Sequence, residues 1–299
     1  MKLLSIEPLS IRLWFTALLF IGLAGCSMPK EIEQNKQTTR QVLDTPNLIK
    51  THIVSAGQGN ESYQLRYVSS DDSAKSRPTV VFVHGTPGGW NSFARYFLDD
   101  DLRRQFRLVS LDRPGWGQSG YPGTEFPTNL EQQASLIGPA LQQIWQQNNH
   151  QKFILVGHSL GGSLAPILAS FYPEYVRGVV ILAGDISPKL AEYRWYNSLL
   201  SWLPHAWVPD HWYYSNMEVL QLSTSLAQVQ SRLARLSVPI TILQGTKDEL
   251  VIPENANYAK SLFKQSQLEI EWIPEAGHLI HLQHPDLVDA AIREMAGRS

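Results

Sequence analysis

Phe153-Ile154-Leu155-Val156-Gly157-His158-Ser159-Leu160-Gly161-Gly162 is the stretch on which the fold is read. Phe153–Val156 is an apolar run of strand length, and Leu160–Phe171 reads as a helix that stops near Pro173. Glycines flank the single serine between them. Without a Cβ they allow a tight strand-to-helix turn that lifts the Ser159 hydroxyl onto the top of the sheet. The helix N-terminus adds partial positive charge at the same place.

Working outward, strand-like and helix-like segments alternate. Thr51–Ala56 and Tyr63–Val68 read as two strands joined by the turn Gly57-Gln58-Gly59. Thr79–Val83, Arg107–Leu111, Val176–Leu182, Ile240–Leu243 and Leu268–Ile273 read as further strands. Thr79–Val83 is dense in β-branched residues, as in a strand buried on both faces. Leu130, Ala134, Ile137, Leu141 and Ile144 recur at helical spacing and predict a helix over about Thr128–Gln147. Glu254–Phe263 and Asp286–Met295 predict two more. The alternation predicts an α/β domain over residues 51–299: a mostly parallel central sheet, helices on both faces, and the first two strands at an antiparallel edge. Ligands of such sheets sit beyond the carboxyl ends of the strands. One insertion, about Ile186–Ser237, interrupts the rhythm with Trp195, Trp202, Trp207, Trp212, Tyr193, Tyr196, Tyr213 and Tyr214. It reads as a small, mostly helical lid over the site, the alternative being a packing layer that meets no substrate.

Two further glycine-rich segments follow strands. They are His84-Gly85-Thr86-Pro87-Gly88-Gly89 and Asp112-Arg113-Pro114-Gly115-Trp116-Gly117-Gln118-Ser119. With the serine turn they make the sequence from about Thr51 onward resemble the α/β-hydrolase family. The resemblance implies Ser159 as nucleophile and the backbone N–H groups of Thr86 and Leu160 as the oxyanion hole. It implies His278, in Glu275-Ala276-Gly277-His278 after the last strand, as the base that takes the serine proton. The orienting acid should follow a strand between those two, and Asp248 in Gly245-Thr246-Lys247-Asp248 matches the family's acid turn. Asp185, after the preceding strand, is the alternative acid. His84 and Asp112 are expected to brace their loops. His281 and His284 are expected to be solvated or to start a helix, with no metal and no cofactor, because no carboxylate or cysteine cluster accompanies them.

The N-terminus carries a separate signal. Lys2 and Arg12 precede an apolar run from Leu13 to Ala24, too short for a comfortable span of about 20 residues. Residues 1–25 read as a secretory signal peptide. Leu23-Ala24-Gly25-Cys26 resembles the bacterial lipobox and contains the chain's single cysteine. That resemblance implies cleavage before Cys26 and a diacylglyceryl lipid on its sulfur, with palmitate incorporation and attachment to a bacterial envelope membrane. In a Gram-negative cell, Ser27 after the cysteine implies the outer membrane, facing the periplasm. A cleaved soluble protein and an uncleaved N-terminal anchor are the other readings. Residues 26–50, rich in Gln, Asn, Lys and Thr, are expected to be a flexible tether.

The net charge is −2, with no block of like charge, so nothing marks a nucleic-acid surface. A composition 43% hydrophobic and 17% charged is enough for a large core. The expected partners are a small-molecule substrate and, through the lipid, a membrane; the oligomeric state is left open. The expected chemistry is carboxylic-ester cleavage of an apolar or aromatic substrate through an acyl-enzyme. Carbon–carbon hydrolysis, aminopeptidase, acyltransferase or cofactor-free peroxidase chemistry, and a non-catalytic binding lipoprotein, are the alternatives on the same scaffold.

Overall fold

The computed structural model describes residues 29–70 and 77–298. Eight strands, β1 (Lys50–Ala56), β2 (Tyr63–Ser69), β3 (Thr79–Val83), β4 (Arg107–Leu111), β5 (Phe153–His158), β6 (Val176–Leu182), β7 (Ile240–Gly245) and β8 (Leu268–Ile273), form one sheet. Their order is β1-β2-β4-β3-β5-β6-β7-β8. The β1/β2 and β2/β4 pairs are antiparallel and the rest parallel, giving the expected antiparallel edge on a parallel sheet.

Nine α-helices are described: α1 (Lys30–Asp44), α2 (Asp100–Gln105), α3 (Leu130–Gln147), α4 (Leu160–Phe171), α5 (Trp195–Ser201), α6 (Asp210–Leu233), α7 (Glu254–Leu262), α8 (Ile280–Gln283) and α9 (Pro285–Gly297). Side chains alternate across each strand, so every central strand feeds two cores. Val81, Val83, Val109, Leu155 and Ile181 pack with α3, α4, α6 and α7 on one face. Val80, Phe82, Leu108, Val156 and Leu182 pack with α1, α2, α9 and the 3₁₀ segment Trp90–Leu98 on the other. Helix α3 starts where Asn129 caps it, its Oδ1 accepting the N–H groups of Glu131 and Gln132.

The tether expected over residues 26–50 is corrected for its described part. Lys30–Asp44 is helix α1, docked on the 3₁₀ segment and on α8. Asn35 Nδ2 donates to the Asn91 carbonyl at 3.0 Å, and Val42 is fully buried. The docking stripe runs through Ile32, Asn35, Thr38, Thr39 and Val42, at helical spacing but with only two apolar members. A polar composition therefore concealed an ordered helix, which Glu31 and Glu33 favour in its first turn. Cys26 and the leader lie outside the described residues. Among the described residues no helix is long and apolar enough to cross a membrane.

A docked α1 has a measurable stability. Val42→Ala deletes two buried methyl groups and is expected to lower the unfolding free energy by about 2 kcal/mol in urea melts. A freely hanging tether would give no change.

Candidate active site

The site is assembled at the carboxyl ends of β3, β5 and β7. Ser159 follows β5 and holds φ 56°, ψ −126°, a conformation that L-residues seldom adopt. Two close approaches enforce it. A Cβ on Gly157 would lie 2.1 Å from the Gly161 carbonyl oxygen, and one on Gly161 would lie 2.2 Å from that of Val83. Ser159 donates its N–H to the Leu182 carbonyl at 2.9 Å and accepts from Ser163 N–H at 3.1 Å. Leu160 is the first residue of α4, so its N–H has no acceptor within the helix. The loop His84–Gly89 passes beside it: a Cβ on Gly85 would lie 2.9 Å from Ser159 Cβ. The N–H groups of Thr86 and Leu160 thus belong to two segments that flank one serine.

His278 and Asp248 meet although thirty positions separate them: His278 Nδ1 lies 2.9 Å from Asp248 Oδ2. The two loops are laced together. Lys247 N–H donates to Ala276 O at 2.9 Å, Thr246 N–H to Ile273 O at 3.1 Å, and Glu275 N–H to Thr246 Oγ1 at 3.0 Å. Asp248 is buried, and its Oδ1 accepts from the N–H groups of Leu250 and Val251, both at 2.9 Å. A carboxylate aimed at Nδ1 selects the Nδ1–H tautomer and leaves Nε2 as the free acceptor. Ser159 Oγ makes no hydrogen bond to His278 in this conformation; such bonds commonly tighten only when substrate binds.

Asp185, the alternative acid, sits elsewhere. Its Oδ1 accepts from Asn255 Nδ2 at 2.9 Å, while Asn255 Oδ1 accepts the N–H groups of Ile186 and Ser187. Burial first, and the charge of Asp248 second, push its pKa up to about 7. Asp112 braces two loops. Its Oδ1 takes the Trp90 N–H at 2.7 Å, and its Oδ2 the Arg66 guanidinium at 3.0 Å and the Gln118 N–H at 3.1 Å.

His84 is fully buried. Its Nδ1 donates to Gly85 O at 2.7 Å, its Nε2 accepts Arg113 N–H at 3.0 Å, and burial holds its pKa well below the ordinary value.

Three features of the surroundings were not read from the sequence. His281 is not solvated: it is buried against His158, with ring centroids 3.9 Å apart, and its pKa is lowered to about 3, by burial above all. His158 Nε2 in turn donates to the His278 carbonyl at 2.9 Å, so two neutral imidazoles support the third from below. His284 stands at the start of α9. The third feature is a fully buried ion pair. Arg113 donates to Glu218 through Nη1 at 2.6 Å and Nη2 at 3.1 Å, and Gln133 Nε2 adds a bond to Glu218 at 2.7 Å. This pair pins α6 of the 186–237 insertion to the loop after β4. The insertion is helical, as α5 and α6, and Asn197 Nδ2 joins the two by donating to Asn216 Oδ1 at 2.8 Å.

A strained serine on a strand-to-helix turn and an Asp–His pair from later loops, on a mostly parallel sheet, define an enzyme of the α/β-hydrolase class. The comparisons agree. The model of the "Alpha/beta hydrolase family" matches residues 80–291, and the chain belongs to that family. A 1-acylglycerol-3-phosphate O-acyltransferase of Arabidopsis thaliana is 33% identical over 138 residues, which cover 46% of this chain and 32% of that one. A 2-hydroxy-6-oxononadienedioate/2-hydroxy-6-oxononatrienedioate hydrolase of Escherichia coli K12 is 29% identical over 157 residues, covering 50% and 46%. The chain thus spans less than half the length of these relatives. Among solved structures, a membrane phospholipase A shares the fold at 18% identity and TM-score 0.58, over 96% of this chain and 98% of its own.

The raised pKa of Asp185 has a thermodynamic consequence. Between its ordinary value of 3.8 and about 7 the folded protein holds a proton that the unfolded chain has released. Its contribution to stability is therefore full below 3.8 and lost as pH rises through 7. Asp185→Asn removes that loss. Urea melts at pH 5 and pH 8 are expected to show the variant gaining on the parent by at least about 1 kcal/mol at the higher pH.

Proposed function

We propose that this chain is a serine hydrolase that cleaves carboxylic esters, with Ser159 as nucleophile, His278 as base and Asp248 as its orienting acid. The single observation that carries the reading is the 2.9 Å His278–Asp248 contact at the rim where Ser159 stands on its turn. Ser159 Oγ attacks the ester carbonyl carbon while His278 Nε2 takes the hydroxyl proton. The tetrahedral oxyanion is stabilised by the N–H groups of Thr86 and Leu160, each worth about 3 kcal/mol in such sites. The alcohol leaves with the proton from His278, and the acyl group stays on Ser159. Water then attacks the acyl-enzyme carbonyl carbon, giving its proton to His278; the bond from the acyl carbon to Ser159 Oγ breaks, Oγ takes the proton back from His278, and the acid is released. We include an apolar or aromatic acyl or alcohol group in this reading, supported by the half-buried Tyr213 and Tyr214 of the insertion, the latter stacked on Phe126.

The partial match to a plant acyltransferase supports one second reading, in which the acyl group passes to another alcohol instead of water. A product carrying an added alcohol acceptor distinguishes the two. We also infer that Cys26 bears a lipid that holds the protein at a bacterial cell envelope, facing the periplasm from the outer membrane if the cell is Gram-negative. The support is the leader Lys2–Ala24 and the Leu23-Ala24-Gly25-Cys26 tetrad.

A fluorophosphonate probe is expected to label the parent protein and not Ser159→Ala, and Ser159→Ala should abolish p-nitrophenyl ester hydrolysis. Asp248→Asn is expected to lower kcat about 10³–10⁴-fold, and Asp185→Asn to leave it within about threefold. Equal loss in both Asp variants would reject the assignment of the acid. For the anchor, cells fed labelled palmitate should mark the parent chain and not Cys26→Ser; equal labelling rejects the lipid.

A further inference from the structure

The insertion turns its apolar side chains outward. In α5 the buried residue is Asn197, while Trp195 is 78% exposed and Leu199 is exposed too; Trp202, just after the helix, is 86% exposed. Trp207 and Trp212, later in the insertion, are exposed as well. From Trp195 to Pro209 the chain contains no Asp, Glu, Lys or Arg. A surface helix of a water-facing domain shows the reverse arrangement, and monomeric proteins seldom expose large apolar patches without a use for them. The exposure does not reflect a loosely placed segment. Asn197 joins α5 to α6, and the buried Arg113–Glu218 pair fixes α6 to the body. Tryptophan and tyrosine are the residues that settle at a membrane–water boundary, with an apolar body and a polar edge.

A second observation says what covers this face. Helix α1 begins at Lys30, and its first turn meets α8: Gln283 Nε2 donates to Glu31 Oε1 at 3.4 Å. Helix α8 starts two residues after His278, and Asn35 binds Asn91, just past the His84–Gly89 loop. The N-terminal end of α1 therefore lies beside the segments that follow His278 and the His84–Gly89 loop. The chain before α1 contains the apolar run Leu13–Ala24 and Cys26. The insertion stands over the rim that carries Ser159 and His278, with Arg194 Nη2 donating to the Glu249 carbonyl next to Asp248.

We propose that the outward face of Tyr193–Trp212 docks into the interfacial layer of a phospholipid bilayer, so that the Ser159 rim faces lipid-borne substrate. Docking stands on the surface and on the position of α1 alone; the lipid-borne ester as substrate class rests on the hydrolase reading above.

The test uses the full chain in phosphatidylcholine vesicles prepared with and without brominated acyl chains. Brominated chains are expected to quench part of the tryptophan emission, and Trp195→Phe with Trp202→Phe should remove at least a third of the quenched component. An unchanged quenched component overturns docking. So does a vesicle-free dimer dispersed by Trp202→Glu with no such loss, which would assign the face to a second copy. Trp195→Glu with Trp202→Glu is expected to cut hydrolysis of a vesicle-borne ester at least tenfold and leave a soluble p-nitrophenyl ester unaffected; equal rates on the vesicle-borne ester overturn the substrate class. If Ser159→Ala leaves soluble-ester hydrolysis unchanged while the quenching difference persists, the hydrolase reading fails and docking stands.

Discussion

The contact on which the site depends is the approach of the serine turn to the end of β3. The backbone after β5 must rise, reverse and enter α4 within a few residues, and it does so against the Val83 carbonyl with no room for a Cβ at Gly161. That closeness places the first free N–H of α4 beside the loop that follows β3. The cost of order 1–3 kcal/mol for a residue held at φ 56° is spread over a sheet whose central strands are buried on both faces. The strain is local, and the parallel register of β3 with β5 supports it.

Charge is distributed around this turn by burial as much as by partner. His84, His158 and His281 are all held neutral by desolvation, and each still satisfies or stacks on a neighbour of the serine. The neutral rings of His158 and His281 pack at His278 without adding positive charge there. The guanidinium of Arg113 does carry charge into the core, and it is matched by Glu218, Gln133 and the carbonyls of His84 and Gly85. A buried pair of this kind adds little net stability but is costly to break. It therefore fixes where α6 lies more than how stable the fold is.

The strands and most helices were legible because their periodicities are clean: Thr79–Val83, Arg107–Leu111 and Leu160–Phe171 appear with the bounds read from the sequence. The pairing of residues 248 and 278 was suggested by motif, but its geometry came from hydrogen bonds between two loops that no spacing encodes. Helix α1 was missed because its docking stripe uses Asn and Thr in place of aliphatic residues. His281 does stand at a helix start, one of its two readings, but it is buried and not solvated, because burial of a polar ring on a four-residue helix leaves no periodic trace. The tryptophans of the insertion were recognised as unusual, but density alone does not show that they point away from the protein.

Asp185 and Asp248 show why chain position alone could not separate two candidate acids. Asp185 and Asp248 both follow strands and both are buried. Two backbone N–H groups and an imidazole converge on Asp248. Asp185 receives one amide N–H from Asn255 and feels the charge of Asp248, so it keeps a proton to about pH 7. Unequal hydrogen bonding by the protein itself, set by Asn255 on one side and the Leu250–Val251 turn on the other, leaves Asp248 as the carboxyl group that meets the imidazole of His278.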